Sequence, residues 1–148
     1  MSKLPKPDPA LQAVGQQCIV RTMRQASRLL TSLYDEALAP FGLKASQMNV
    51  LIAVGANGAV SPQRIQKALD LEKSTLSRSA ERLAAGGLLI SQPATEGRGI
   101  VYGLTPSGRK RIESALPAWR KVQARVKRKL SAAGVDALRG MVSSLSHS

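Results

Sequence analysis

Lys73, Ser74, Thr75, Ser77, Arg78 and Arg82 share a short window with Leu76, Ala80, Leu83 and Ala84, which recur at helical spacing. Wound as a helix, this window separates into an apolar side and a polar side, with hydroxyl donors near its start and two long guanidinium groups. That combination suits a groove. A helix fits the major groove of duplex DNA, where an arginine can pair in a bidentate fashion with guanine and a serine or threonine can bond a base or a phosphate. Glu81, about one turn beyond Arg78, competes as an ion-pair partner. Upstream, Ser61, Gln63 and Arg64 open a shorter helix whose free N–H groups and hydroxyl can hold a phosphate. Downstream, Arg98 follows Glu96 and Gly97 on a narrow loop, a shape that lets one cation enter a minor groove. Taken alone, such a polar face is an ordinary solvated helix surface, and the surrounding elements must decide.

Other chemistries lack their residues. The sole histidine, His147, sits beside the C-terminus, where disorder is expected, and it cannot anchor a catalytic triad. Neither a carboxylate pair in a catalytic pattern nor a glycine-rich phosphate loop occurs, so the chain does not read as an enzyme. One cysteine, Cys18, excludes an internal disulfide, and no metal-ligand spacing exists, so neither metal nor cofactor is expected. The longest clean apolar stretch runs only from Val50 to Ala56, far below the roughly 18 residues of a membrane span. Lys3 and Lys6 precede no apolar run, so no secretory signal is read, and the expected compartment is the cytoplasm.

The chain's 148 residues carry a formal charge of +13, which favours a polyanionic partner. That surplus is uneven: residues 1–40 carry a net +2, residues 41–105 a net +3 and residues 106–148 a net +8. Net charge therefore does not locate a site in the middle of the chain. Much of it lies in the run Arg120, Lys121, Arg125, Lys127, Arg128 and Lys129, which reads as a solvated face, a further DNA surface or an attractor of an anionic ligand.

Six helices and one hairpin are expected to position these residues. Residues 1–8 form a flexible, proline-rich tail. Asp8-Pro9 starts a helix, and Leu11, Val14, Cys18, Thr22, Ala26, Leu29, Leu33 and Ala37 draw one apolar stripe along it as far as Pro40. At about 1.5 Å per residue this helix is too long for a small domain to cover on one side, and a second chain is the natural cover. Gln47 to Val54 forms the second helix, with Met48, Leu51 and Ile52 inward. Ser61-Pro62 opens the third, with Ile65, Ala68 and Leu69 inward, and the polar-faced fourth ends at Gly86-Gly87. The tight join between these two makes a helix-turn-helix. Leu88 to Gln92 and Ile100 to Leu104 are the strands of a β-hairpin. Thr105-Pro106 begins a fifth helix marked by Ile112, Leu116, Trp119, Val122, Val126 and Leu130, with a kink expected at Pro117, and Val135 to Leu145 forms a sixth.

This order resembles the MarR family of winged-helix transcriptional regulators over about residues 10–146. The matching pieces are Tyr34 to Leu43 with Gln47, then Leu71-Glu72-Lys73-Ser74-Thr75-Leu76-Ser77-Arg78, Gly87-Leu88-Leu89, the wing Glu96-Gly97-Arg98, and Leu104-Thr105 with Gly108. The fold expected is mostly α with a small β-hairpin wing: a winged helix-turn-helix at residues 41–105 between long dimerisation helices at 9–40 and 106–148. The resemblance implies a homodimer with two recognition helices in successive major grooves of a pseudo-palindromic operator. It also implies repression relieved by a small effector, such as an anionic aromatic, or by an oxidant. The rival reading is a basic architectural DNA- or RNA-binding module without sequence readout. Cys18 reads first as a small buried hydrophobe on the stripe and secondarily as a redox sensor. Two positions depart from the family: Glu96 stands where an Asp usually orients the wing arginine, and Lys44 stands where a Thr usually caps the second helix.

Overall fold

The computed structural model describes residues 3–146. His147 lies outside the described residues. The Asp8 carboxylate accepts the Ala10 and Leu11 N–H groups at 2.9 and 3.4 Å and caps α1, Pro9–Gln17. The single long helix expected from Asp8 to Pro40 is instead two. Cys18, with φ −70° and ψ 110°, is extended and separates α1 from α2, Ile19–Leu38. Gly15 and the β-branched pair Ile19-Val20 weaken helix propensity on either side of the break. The Cys18 carbonyl accepts both the Thr22 N–H at 3.1 Å and the Thr22 hydroxyl at 3.2 Å, which starts α2. Cys18 thus sits at a break, half-buried, and not within a buried helical stripe.

A 3-10 turn, Ala39–Phe41, leads to α3, Ala45–Asn57, whose Met48, Val50, Leu51 and Val54 are buried. Met48 and Leu51 are inward as expected, whereas Ile52 faces outward, 38% exposed, and Val50 and Val54 complete the buried side. Ser61 accepts the Arg64 N–H at 3.4 Å and caps α4, Pro62–Leu69. Asp70, left-handed at φ 52°, ends that helix, and α5 follows at once over Lys73–Ala85. Ile65, Leu76, Ala80 and Leu83 enter the core, while Ala68 and Ala84 stay exposed. Gly87, left-handed at φ 74°, closes α5: its N–H reaches Ala84 O at 2.9 Å and Leu88 N–H reaches Leu83 O at 2.9 Å, a Schellman ending.

Strands β1, Leu89–Pro93, and β2, Ile100–Leu104, pair antiparallel with Leu89 opposite Leu104. A third partner appears: Val60 exchanges backbone hydrogen bonds with Tyr102 at 3.0 and 2.8 Å, tying the hairpin to the start of the helix-turn-helix.

The last helical element, α6, spans Pro106–Ser146. Thr105 caps it by accepting the Gly108 N–H at 2.9 Å, and the same hydroxyl donates to Gly87 O at 2.7 Å. The kink expected at Pro117 lies elsewhere. Helical torsions continue through Pro117, and the departure is at Ser131, with φ 63° and ψ 167°. Ser131 Oγ then accepts the Gly134 N–H at 3.3 Å and caps the terminal arm, residues 132–146. No single helix among the described residues is long and apolar enough to cross a membrane.

Candidate nucleic-acid interface

One side of α5 is fixed by the core: Leu76, Ala80 and Leu83 are each no more than 2% exposed. The rotation this imposes leaves Lys73, Ser74, Thr75, Arg78 and Arg82 exposed on the other side, with Ser77 half-buried at the edge. Glu72, extended at the N-cap, makes no side-chain cap bond, so the first-turn N–H groups of α5 are open to solvent or to a partner. Glu81 does not engage Arg78. Among the described residues no ion pair holds Arg78 or Arg82.

Beside α5, the start of α4 and the hairpin enclose a cleft of about 490 Å³ whose polar lining includes Gln63, Gln66, Lys73, Ser77 and Arg98. Residues from the helix-turn-helix and from the wing therefore meet in one place. Arg98 is exposed at the hairpin tip, where Ala94 N–H closes the loop on Gly99 O at 3.0 Å. Glu96 lines the same cleft but makes no ion pair with Arg98 among the described residues. Tyr102 closes the cleft from below, and burial, with the Glu81 charge second, pushes its phenol up from the ordinary value. The two remaining upstream residues are partly engaged: Ser61 Oγ holds its own helix, and Arg64 Nη2 donates to Asn57 Oδ1 at 3.5 Å.

Three nearby cations separate by role. Arg109 and Lys110 are exposed, whereas Arg111 donates to Phe41 O at 3.0 Å and joins α6 to the 3-10 turn. Lys44 stands at the N-cap of α3, where its side chain makes no cap bond. Its own N–H reaches Gln47 Oε1 at 2.9 Å, and the next N–H, of Ala45, reaches Asp35 Oδ1 at 2.7 Å. An aspartate from α2 thus takes a first-turn N–H of α3 although the N-cap has no hydroxyl, and the Lys44 side chain is exposed against α5. The signal that could have found it was present, a cation at a position where a cap was expected.

A second cavity, about 250 Å³, lies between α2, α3 and α6 and is lined by Leu30, Tyr34, Met48, Asn49, Trp119 and Gln123, among others. The Tyr34 hydroxyl donates to Gln123 Oε1 across it, and burial pushes the Tyr34 phenol up from its ordinary value. Cys18 lines neither cavity.

The MarR family model matches residues 41–99, which hold most of the residues lining the α5 cleft. Over 95 residues the chain is 28% identical to the uncharacterized HTH-type transcriptional regulator YwoH of Bacillus subtilis, covering 64% of this chain and 69% of that protein. The crystal structure of the M. tuberculosis transcriptional regulator MosR in complex with DNA is similar at a TM-score of 0.76 and 30% identity, over 87% of this chain and 93% of that one. At 24% identity, BpsR of Bordetella bronchiseptica, whose DNA binding is regulated by 6-hydroxynicotinic acid, shares the fold at a TM-score of 0.77, over 89% of this chain and 96% of that one. With a winged helix-turn-helix between long terminal helices and these likenesses, the chain belongs to the MarR family of transcriptional regulators.

Proposed function

We propose that this chain is a homodimeric repressor that reads a pseudo-palindromic operator through α5 and releases it when a small effector enters between the helices. The observation that carries the reading is the convergence of the exposed face of α5, the start of α4 and the wing arginine on one surface. On this reading Lys73, Ser74, Thr75, Ser77 and Arg78 enter the major groove and Arg82 follows at its edge. Ser61, Gln63 and Arg64 steady the helix on the backbone, and Arg98 reaches the minor groove. Residues 41–105 are the reading head, and residues 9–40 with 106–148 are the dimerisation part. The DNA-bound MosR relative supports the class of partner.

The effector reading rests on the second cavity, which touches α2, α3 and α6 and so couples the dimerisation helices to the head. Its polar groups include Thr31, Tyr34, Asn49 and Gln123, and its lining holds no charged side chain. An anionic ligand would meet no cation there, so a flat, uncharged aromatic with hydrogen-bonding groups fits this lining better than a carboxylate.

Selection of binding sites from a random duplex pool tests the proposal. The expected outcome is a two-fold related sequence with half-sites about 34 Å apart, bound roughly a thousandfold more tightly than scrambled duplex. Arg78→Ala should erase much of that preference. Equal weakening on every duplex, with no preferred sequence at all, would point to an architectural module instead.

A further inference from the structure

We infer that Lys44 and Arg82 form a clamp for one phosphate of the DNA backbone, on the side of α5 opposite the wing. The inference rests on the DNA-binding reading above. It starts from a cavity of about 230 Å³ between the start of α3 and the outer flank of α5, lined by Lys44, Ser46, Gln47, Thr75, Arg78 and Arg82 together with three other residues. Three of its lining residues are cations and none is an acid. Arg82 lies one turn farther along α5 than Arg78, which leaves Arg78 nearer the end of the helix that enters a groove and Arg82 nearer the groove's edge, where backbone phosphates run. The capping arrangement explains why a lysine is tolerated here. Asp35 and Gln47 take the N–H groups of Ala45 and Lys44 at 2.7 and 2.9 Å, so the Lys44 side chain has no structural duty and remains exposed. Ser46 and Gln47 follow in a first turn whose N–H groups have no intrahelical carbonyl to reach. Because the Asp35 carboxylate already takes the Ala45 N–H of that turn, the attraction for a further anion comes from the Lys44 and Arg82 cations. Lysine is a point cation that suits a phosphate oxygen, and the arginine supplies a second set of donors from a different element.

A phosphate clamp and a base reader leave different traces. Losing a phosphate contact weakens every duplex alike and flattens the salt dependence, by about 0.9 in the slope of log K against log salt, or about eightfold in affinity near 0.1 M salt. The test compares wild type, Lys44→Thr, Lys44→Gln and Arg82→Gln on a pool-selected duplex and on its scrambled counterpart, across about 0.05 to 0.3 M salt. Each variant should lose affinity equally on both duplexes and show the shallower slope, while Arg78→Ala loses the selected duplex preferentially. Lys44→Thr should melt no lower than wild type, since it supplies a capping hydroxyl. Binding of neither duplex by wild type overturns the DNA-binding reading itself. Binding by wild type, with Lys44 variants that keep the full slope or weaken only the selected duplex, overturns this inference alone.

Discussion

Gly108 occupies the third position of α6, directly over the turn that ends α5. A Cβ built there would run into the Leu88 carbonyl oxygen and would lie 2.7 Å from Leu104 Cδ1. The first obstacle is backbone and cannot swing aside, and it belongs to the segment that Gly87 and Thr105 already tie down. Gly108→Ala should therefore destabilise the fold despite alanine's better helix propensity, by about 1–3 kcal/mol from overpacking. Thermal unfolding monitored by circular dichroism checks it, and an unchanged or higher midpoint would show that the two elements are free to separate. The sequence showed a glycine here as part of a family pattern. What it did not show was why, because the clash is with Leu88, twenty positions away.

At the scale of elements, the starts of helices were legible where the cap is local. Asp8-Pro9, Ser61-Pro62 and Thr105-Pro106 each place an oxygen acceptor ahead of a proline at the first turn, and each begins a helix. Where the partner comes from elsewhere, the reading fell short. The break at Cys18 interrupts an apolar stripe that the sequence carries straight across it, and periodicity does not register a single extended residue. The Val60 bridge is too short for strand alternation to reveal. Likewise α3 looked uncapped because its acceptor, Asp35, is ten residues upstream on α2. That bond makes a prediction. Asp35→Ala leaves the Ala45 N–H without its acceptor and should cost about 1 kcal/mol, a typical capping loss. Asp35→Asn, which keeps an oxygen acceptor, should retain most of the stability. Urea titration would separate them, with lowered midpoints at constant m identifying a change in native stability and not in compactness. Equal losses for both variants would mean that the carboxylate's charge, not its hydrogen bond, is what α3 needs.

Across the whole molecule the apolar surface is distributed unevenly. Leu11, Val14, Ile19, Val20 and Leu29 in the first two helices are between 62% and 76% exposed, and Val142 and Leu145 in the terminal arm of α6 are 68% and 75% exposed. The winged helix-turn-helix between them has a closed core. A residue scattered singly would need no explanation, but these lie along α1, the first half and middle of α2 and the far end of α6, and α1 buries none of its residues. A second copy would cover both ends at once, and two-fold pairing is the commonest way a soluble chain does this. Such pairing would also fix the distance between two α5 helices, which is what a repeated half-site requires. Joining two weak half-site contacts raises affinity through effective concentration without any new contact to DNA. Sedimentation at micromolar concentration should therefore show dimers. The double substitution Val142→Glu with Leu145→Glu, placed far from α5, should yield monomers whose helical signal is largely kept but whose affinity for a selected operator falls by a hundredfold or more. Dimers that persist in the variant would move the interface elsewhere, and monomers that bind the operator as tightly as wild type would remove the need for a paired reading head.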